Sequence, residues 1–422
     1  MKGEISKLNL KNRKNCLGIN GLGRIGKLTL WYQLHENYFD SFIINVGRPV
    51  GKSLQNIVDL ITTDSTYGAI EKFLFGIKAE RDIKIIDEKE NLLKIFGKPV
   101  KILCEARNPK NIGWREYGVK LVVDSTGVFN DPIVAAEDNE KGSIRGHLSA
   151  GAEKVINSAP FKIKDKSKKI PEDSTTLIYG INHISYNQNK HNIISAASCT
   201  TTALAHMVKP LLEREETKNI LTASLSTIHA ATNSQSVLDS LPGAGDTDLR
   251  KNRMVFNNII LSTTGAASTL EKVLPEVKRV GFMADSVRIP TDTVSLIILN
   301  LTFHSTLDKK GDSTINREFI NQIYHDASQG AQRELLCYSD NQNVSSDLKG
   351  KLYAVTIEGH ATHTRTGFIG LNPQMLQDVG IVTNRVIDIP ITHLTVFGWY
   401  DNEYGSYVHC LGKLATYIHR NL

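Results

Sequence analysis

The sequence predicts a two-domain α/β protein, with one domain on a parallel sheet and an α+β domain on a large mixed or antiparallel sheet. The 422 residues are enough for two hydrophobic cores. A short apolar strand, a glycine-rich turn and a helical stretch follow one another within residues 16–35. Three long apolar or alternating runs in the second half are typical of strands in a broad sheet: TASLSTIH, VSLIILNLTF and HLTVFGWY.

The first strand, CLGIN at residues 16–20, leads into a glycine pattern that is typical of dinucleotide binding. Gly21 permits a tight turn, Gly23 lets a diphosphate approach the backbone, and Gly26 lets the helix pack on its strand. The N-terminus of the helix then faces the anion. We therefore predict a Rossmann-type domain that binds NAD or NADP through the turn residues Gly21, Leu22, Gly23, Arg24, Ile25 and Gly26.

The end of the next strand, FIINV at residues 42–46, bears on the choice between NAD and NADP. NAD enzymes usually place a carboxylate there, about 20 residues past the glycines, to hold the ribose 2′-hydroxyl. This chain has Val46, and Arg48 and Lys52 follow closely enough to attract a 2′-phosphate. Two interpretations stay open: use of NADP, or binding of NAD without the carboxylate while Val46 contacts the adenine.

Another buried strand is predicted within LVVDSTGVF, residues 121–129, and it ends in Ser125, Thr126 and Gly127. Strand ends of this kind line the cofactor crevice of an open α/β sheet. We therefore add Ser125 and Thr126 to the predicted cofactor site.

The segment SAASCTTTA, residues 195–203, sets Cys199 among hydroxyl and small side chains that can hydrogen-bond an anion or a thiolate. A cysteine in a polar run is, on that evidence alone, more often a buried core residue. Thirty residues later, STIHAATNSQ supplies His229 as a base. We expect this pairing to lower the pKa of Cys199, and a helix that begins at SCTTT would stabilise the thiolate further.

Six segments, in one order over nearly the whole chain, resemble motifs of the phosphorylating glyceraldehyde-3-phosphate dehydrogenase family. They are GINGLGRIG (18–26), SAASCTTTA (195–203), STIHAATNSQ (226–235), STTGAAS (262–268), VRIPT (287–291) and WYDNEYGSY (399–407). The resemblance implies reversible, phosphorylating oxidation of glyceraldehyde 3-phosphate to 1,3-bisphosphoglycerate. It assigns Cys199 as the nucleophile that forms a thioester and His229 as the base, with hydride transfer to NAD(P). It also implies a homotetramer.

The resemblance further implies which residues bind the ligands. The substrate phosphate and inorganic phosphate would be held by Ser198, Thr200, Thr232, Arg250, Thr264, Gly265 and Arg288. The cofactor would contact Val46, Arg48, Arg107, Ser125, Thr126 and Asn402, in addition to the glycine turn. Arg107 would lie near the adenine, and Asn402 would hydrogen-bond the nicotinamide carboxamide.

The domains implied are a nucleotide-binding domain at 15–198, completed by a C-terminal helix at 403–422, and a catalytic domain at 199–402. Residues 1–14 form an N-terminal extension. Departures from the family motifs, such as Ala196 three residues before Cys199, remove no reacting group. Two alternatives remain: an erythrose-4-phosphate dehydrogenase, or a binding protein on the same scaffold with reduced catalysis.

Composition restricts the remaining possibilities. The net charge of +6 is mild, so it suits an anionic small substrate and argues little for nucleic acid as the main partner. Five widely separated cysteines without a CxxC pair indicate reduced thiols and a cytoplasmic enzyme. We expect no membrane span and no signal peptide. His360 and His363 have a metal-like spacing but lack a third ligand, so no metal is predicted.

Overall fold

The computed structural model describes residues 13–104 and 106–422. Residues 1–12, most of the predicted N-terminal extension, and Glu105 lie outside the described residues. The chain divides into two compact units. The first runs to Ser198 and takes in Tyr407–Leu422, and the second is Cys199–Ser406.

The described residues of the first unit form two sheets. Its strands are β1 (Cys16–Asn20), β2 (Ser41–Asn45), β3 (Thr63–Asp64), β4 (Gly68–Ala69), β5 (Ile83–Asp87), β6 (Leu92–Ile95), β7 (Lys98–Leu103), β8 (Leu121–Asp124), β9 (Lys154–Asn157), β10 (Ser174–Thr176) and β11 (Ile193–Ser195). The main sheet has nine strands in the order β10-β11-β9-β8-β1-β2-β7-β6-β5, and β3 pairs with β4 separately. All neighbours from β10 to β7 are parallel, and the β5–β6–β7 edge is antiparallel.

The central strands β1, β2 and β8 are buried along their whole length. Their near-continuous apolar sequences suit a parallel sheet that is covered on both faces. The helices of this unit are α1 (Arg24–Glu36), α2 (Leu54–Thr62), α3 (Ile70–Phe75), α4 (Gly146–Ser149) and a C-terminal helix at His409–Arg420. This alternation of strands and helices places the carboxyl ends of β1, β2 and β8 side by side, because Asn20 pairs with both Asn45 and Asp124.

The second unit is built on one eight-stranded mixed sheet. Its strands are β12 (Ile220–Ala230), β13 (Ile260–Ser262), β14 (Met283–Ile289), β15 (Ser295–His304), β16 (Leu336–Ser339), β17 (Val355–Glu358), β18 (His363–Leu371) and β19 (Ile387–Tyr400). Their order is β13-β14-β12-β15-β19-β17-β16, and β18 also pairs with β19. The pairs β12–β14 and β16–β17 are parallel, whereas the others are antiparallel.

Four helices accompany this sheet: α5 (Cys199–Leu212), α6 (Ala266–Val273), α7 (Arg317–Gln329) and α8 (Pro373–Asp378). Helix α5 approaches the sheet closely at Gly398, where an added Cβ would lie 2.5 Å from Met207 Sδ. A larger residue at this position in β19 would force the side chains of Met207 and Val355 to shift. Together the two units confirm the predicted fold class, α/β with a Rossmann-type sheet and a second sheet of mixed direction.

None of the helices in the described part of the chain has the length and apolar character that crossing a membrane requires. His360 lies exposed in a short 3-10 turn and His363 exposed at the start of β18. Among residues 13–104 and 106–422, no three His, Cys, Asp or Glu side chains are grouped so that they could hold a metal ion.

Candidate active site

The centre of the candidate site is the pair Cys199 and His229. Cys199 is the first residue of α5 and His229 is the penultimate residue of β12, and Cys199 Sγ lies 3.4 Å from His229 Nε2. The helix N-terminus places positive partial charge beside the sulfur. A nucleophile and a base within contact distance form the minimal arrangement for covalent catalysis.

The backbone just before the cysteine turns sharply. Ala197 has φ +58°, in the left-handed region that an alanine rarely adopts. Two contacts hold it there: the Ala197 amide donates to Ser195 Oγ at 3.1 Å, and Tyr407 Oη donates to the Ala197 carbonyl at 3.1 Å. Because non-glycine residues persist in this region only when neighbouring contacts fix them, the turn preceding Cys199 is rigidly defined.

Arg288 is the third member of the cluster. It stands opposite His229 in the β12–β14 register, and its Nη1 lies 2.5 Å from His229 Nδ1 and 3.2 Å from the Ala230 carbonyl oxygen. Its Nε is buried and has no hydrogen-bond partner among the described residues. A guanidinium with an unused buried donor fits an anionic ligand.

The electrostatics of the pair differ from the sequence-based expectation. Burial raises the pKa of the Cys199 thiol, although the charge of Arg288 and contacts at Thr200 oppose this effect. Burial and the charge of Arg288 together lower the pKa of His229 to about 3. The prediction that pairing with His229 lowers the pKa of Cys199 is therefore wrong, because desolvation outweighs the partner. At neutral pH the pair consists of a thiol and a neutral imidazole.

The neutral imidazole can use Nδ1 in two ways. It can donate to the Ala230 carbonyl oxygen 2.8 Å away, which leaves Nε2 as an acceptor for the thiol, or it can accept from Arg288. The second arrangement puts the proton on Nε2 instead. Arg288 therefore affects which nitrogen of His229 is available as the base.

Tyr400 is a site residue that sequence reasoning missed. Its hydroxyl lies 2.9 Å from Thr200 Oγ1 and 2.7 Å from Thr227 Oγ1, and its ring meets the His229 ring edge-on at 6.0 Å. These contacts fasten the first turn of α5 to β12 and so set the position of Cys199 relative to His229. Thr200, predicted as a phosphate ligand, is buried with its hydroxyl against Tyr400.

Asn402 is fixed by a chain of hydrogen bonds that begins next to the base. The Ala230 amide donates to Ser295 Oγ at 3.0 Å, and Ser295 Oγ donates to Asn402 Oδ1 at 2.9 Å. The preceding Asp401, also missed by sequence reasoning, accepts from Thr293 Oγ1 at 2.9 Å and from the Gly350 amide at 2.8 Å. A fixed Oδ1 directs the Asn402 side-chain N–H groups elsewhere, which fits the predicted amide contact.

The other predicted phosphate ligands have separate local contacts. Arg250 is exposed and its Nε bonds Asp248 Oδ1 at 2.8 Å, while the Thr232 hydroxyl bonds Ser234 and Gln235. No described hydrogen bond joins Thr232 or Arg250 to the Cys199–His229 pair. Their part in phosphate binding, like that of Ser198, which is partly buried beside Cys199, stays a prediction.

Thr264 and Gly265 lie at the beginning of α6. Thr264 Oγ1 accepts from the Ala266 amide at 3.2 Å, and an added Cβ at Gly265 would meet only Ser268 Oγ, at 3.8 Å. The helix N-terminus is thus open to a ligand, as an anion site requires.

The glycine turn of the first unit has the geometry that a dinucleotide needs. Gly21 has φ +95°, and an added Cβ at Gly26 would lie 1.9 Å from the Gly21 carbonyl oxygen, so α1 packs directly on the turn there. At Gly23 nothing lies within 4 Å of the same position. The backbone is therefore open where a diphosphate would approach.

Within that turn, Leu22 is buried and Ile25 is partly buried. Arg24 forms an ion pair with Asp64, and Lys27 Nζ lies 2.6 Å from the same carboxylate. Burial raises the pKa of Asp64, but the hydrogen bonds from Arg24 and Lys27 hold it well below its usual range. This buried carboxylate therefore fixes both cations in the first turns of α1.

The loops that would hold the adenosine half are also defined. Val46 directly follows β2, and Arg48, Lys52 and Arg107 are exposed. Arg107 lies beside Gly47, with its Cγ 3.4 Å from the position of an added Cβ. The nucleotide preference stays a prediction.

The turn after β8 is attached to the glycine turn. Ser125 Oγ lies 3.0 Å from the Asn20 carbonyl oxygen and 2.9 Å from that of Gly21. Thr126 Oγ1 donates to Asp124 Oδ1 at 2.6 Å. Both predicted cofactor residues, Ser125 and Thr126, thus lie at the same edge of the sheet as the glycines.

Comparisons with known proteins agree over nearly the whole chain. The family model described as the NAD binding domain of glyceraldehyde 3-phosphate dehydrogenase matches residues 16–132, and the model of its C-terminal domain matches residues 198–372. A glyceraldehyde-3-phosphate dehydrogenase of Geobacillus stearothermophilus is 33% identical over 403 residues, 95% of this chain and 97% of the relative. Glyceraldehyde-3-phosphate dehydrogenase 1 of Bacillus cereus is 32% identical over 402 residues, 95% of this chain and 98% of the relative. The enzyme of that name from Streptomyces coelicolor is 30% identical over 407 residues, 96% and 99% respectively.

Proposed function

The chain belongs to the glyceraldehyde-3-phosphate dehydrogenase family, and from this membership we propose that it oxidises glyceraldehyde 3-phosphate to 1,3-bisphosphoglycerate, reversibly, with NAD(P) and inorganic phosphate. The observation that carries the proposal is the contact of 3.4 Å between Cys199 Sγ and His229 Nε2 at the N-terminus of α5. An intact nucleophile and base argue for the enzyme rather than for a binding protein with reduced catalysis.

The reaction follows from these two side chains. The Cys199 thiol passes its proton to His229, and the thiolate attacks the aldehyde carbon to form a hemithioacetal. The new oxyanion takes that proton from His229 and becomes a hydroxyl group. His229 then removes the hydroxyl proton as the hydride leaves the carbon. The bound dinucleotide supplies the acceptor for that hydride. The resulting thioester is cleaved when a phosphate oxygen attacks the acyl carbon and Cys199 departs as thiolate.

Arg288 links substrate binding to the readiness of the base. Its charge is the second cause, after burial, of the lowered pKa of His229. A phosphate that binds this guanidinium offsets its charge, so the pKa of His229 rises toward the range of a useful base. If Arg288 donates to the phosphate instead of to His229 Nδ1, that nitrogen can donate to the Ala230 carbonyl oxygen, which makes Nε2 the acceptor.

Phosphate is expected to be a substrate. With glyceraldehyde 3-phosphate and NAD, the rate should rise strongly with inorganic phosphate and the product should be an acyl phosphate. Sulfate at equal ionic strength is the control, since it can occupy an anion site without yielding this product. Equal rates without phosphate, with a free acid as product, would show simple aldehyde oxidation instead. Running the same assay with erythrose 4-phosphate separates the two candidate aldehydes.

We expect the enzyme to accept NADP within about an order of magnitude of NAD, since Val46 neither favours a 2′-hydroxyl nor repels a 2′-phosphate. Val46→Asp should shift the ratio of kcat/KM values toward NAD, and Arg48→Ala should weaken NADP selectively. Arg48 is exposed, so its contribution should be modest, about 1 kcal/mol or less. Lys84→Ala, which removes an exposed charge on β5, is the control. A thousandfold preference for NAD that Arg48→Ala leaves unchanged would contradict the prediction.

We also propose a nucleotide-binding domain at 15–198 with 403–422 and a catalytic domain at 199–402. The division of the chain after Ser198 and again before Tyr407 supports these limits. A homotetramer is supported by apolar side chains that the second unit leaves exposed, among them Met283 and Leu261. A cytoplasmic location is supported by five cysteines that are widely separated in the sequence and include no CxxC pair.

A further inference from the structure

Four buried polar side chains form a continuous hydrogen-bonded row across the carboxyl ends of the parallel strands in the first unit. They are Asn45 at the end of β2, Asn20 at the end of β1, Asp124 at the end of β8, and His147 on α4. Asn45 Nδ2 donates to Asn20 Oδ1 at 2.8 Å, and Asn20 Nδ2 donates to Asp124 Oδ2 at 2.8 Å. His147 Nε2 lies 2.9 Å from the same Asp124 oxygen. We call this row the strand-end ladder.

The protonation of the ladder is fixed at one end by Trp114. Its indole Nε1 lies 2.9 Å from His147 Nδ1, and an indole N–H can only donate. His147 Nδ1 must therefore be an acceptor, so the imidazole is neutral and its proton lies on Nε2, directed at Asp124. Asp124 and His147 are both completely buried. A buried carboxylate is tolerated only where donors surround it, and the ladder supplies them.

The loops of the first unit that are predicted to hold the dinucleotide are attached to the ladder. Asp124 Oδ1 accepts from the Thr126 amide at 3.0 Å and from Thr126 Oγ1 at 2.6 Å, which fixes the turn after β8. Asn45 Oδ1 accepts from the Gly47 amide at 3.3 Å, and its Nδ2 also donates to the Ala106 carbonyl oxygen at 2.9 Å. The glycine turn starts directly after Asn20. Four loops that are distant in sequence thus share one hydrogen-bonded support.

Resting on the proposed dinucleotide-dependent function, we propose that the strand-end ladder positions the cofactor loops, and that His147 acts as a positioning residue for cofactor binding through Asp124. The described hydrogen bonds of the His147 ring are with Asp124 and Trp114, not with the thiol or the base. Asp124 accepts hydrogen bonds from His147, Thr126 and Asn20, and these donors stabilise its ionised form although it is buried. The carboxylate thus remains ionised and needs all its donors.

The test compares His147→Phe, His147→Gln and Val155→Ala by calorimetric titration with NAD in the absence of aldehyde, alongside steady-state kinetics. Phenylalanine retains a ring but gives no donor, so NAD should bind at least about tenfold more weakly, as expected for losing a hydrogen bond to a charged group. Glutamine carries both a donor and an acceptor and should restore binding. The value of kcat at saturating NAD should stay near that of the wild type, because the thiol and base are unaltered.

Val155→Ala is the matched control, since Val155 is completely buried in the same hydrophobic cluster as Trp114 and carries no polar group of the ladder. It should lower the unfolding temperature without changing the affinity for NAD. Asn45→Ala breaks the ladder at its other end and should weaken NAD binding even if His147→Phe does not fold. If the wild type binds NAD and both His147→Phe and Asn45→Ala bind it equally tightly, the ladder proposal is overturned and the proposed function is not. Wild type that binds neither NAD nor NADP would overturn the proposed function as well.

Discussion

Replacing Cys199 by serine is expected to abolish aldehyde oxidation, with a loss in kcat of at least about 10⁴-fold. The sulfur lies 3.4 Å from His229 Nε2 at the start of α5, so this cysteine has a base in contact. A serine hydroxyl at this position is a weak nucleophile at neutral pH and lacks the readily ionised sulfur. The steady-state rate with glyceraldehyde 3-phosphate, NAD and phosphate measures the effect.

Two controls make this result specific. Cys337→Ser changes another cysteine of the second unit, whose Sγ contacts the Tyr338 carbonyl oxygen, and should leave the rate near that of the wild type. Binding of NAD to Cys199→Ser should survive, because the glycine turn belongs to the first unit. If Cys199→Ser turned over at a rate close to the parent, the assignment of the nucleophile would have to be abandoned.

The site residues that could be predicted lie in short segments in which the neighbouring residues indicate their role. Cys199 was recognisable because its neighbours are hydroxyl and small side chains, and His229 because a similar setting follows thirty residues later. The strand, turn and helix around Gly21, Gly23 and Gly26 were predictable for the same reason. Each depends on backbone geometry that a few consecutive residues determine.

The electrostatics of the site were not predictable, because they depend on burial and on partners far along the chain. Pairing alone suggested a lowered pKa for Cys199, whereas desolvation raises it. Arg288 lies 59 residues from His229 and meets it only through the parallel register of β12 and β14. The contacts of Tyr400 with Thr200 and Thr227 span 200 and 173 residues. No local sequence pattern indicates contacts between residues that are so far apart along the chain.

The strand-end ladder illustrates the same limit in the first unit. Asp124 stands out in the sequence as a charged residue at the end of an apolar strand, but nothing nearby indicates its partners. His147 is 23 residues away and Asn20 is 104 residues away. They meet because β1 and β8 are adjacent in the sheet and because His147 on α4 reaches Asp124 at the end of β8. Sheet order, which the sequence leaves open, determines the network.

Replacing His229 by asparagine is expected to lower kcat by about 10²- to 10⁴-fold, the usual contribution of a general base. Asparagine keeps an acceptor near the position of Nδ1, so Arg288 retains a partner, but it removes the Nε2 atom that faces the sulfur. The variant should therefore fold and bind NAD while it fails to take the proton that accompanies hydride loss. His363→Asn, at an exposed histidine on β18, is the control and should leave kcat unaltered.

The pH dependence of the wild type gives an independent check on the same base. Because the pKa of His229 in the free enzyme is held at about 3, protonation of this ring should not reduce kcat/KM anywhere in the neutral range. Cys199, in contrast, should make kcat/KM depend on pH, because its raised pKa keeps the thiol protonated in the neutral range. As long as the pH lies below that pKa, each increase of one pH unit raises the thiolate fraction about tenfold, so kcat/KM should rise with pH. A kcat/KM that fell as pH decreased through about 6 to 7 and then levelled off at alkaline pH would instead indicate a histidine that titrates normally. Such a profile, or a His229→Asn variant with nearly full kcat, would contradict a buried neutral imidazole as the catalytic base.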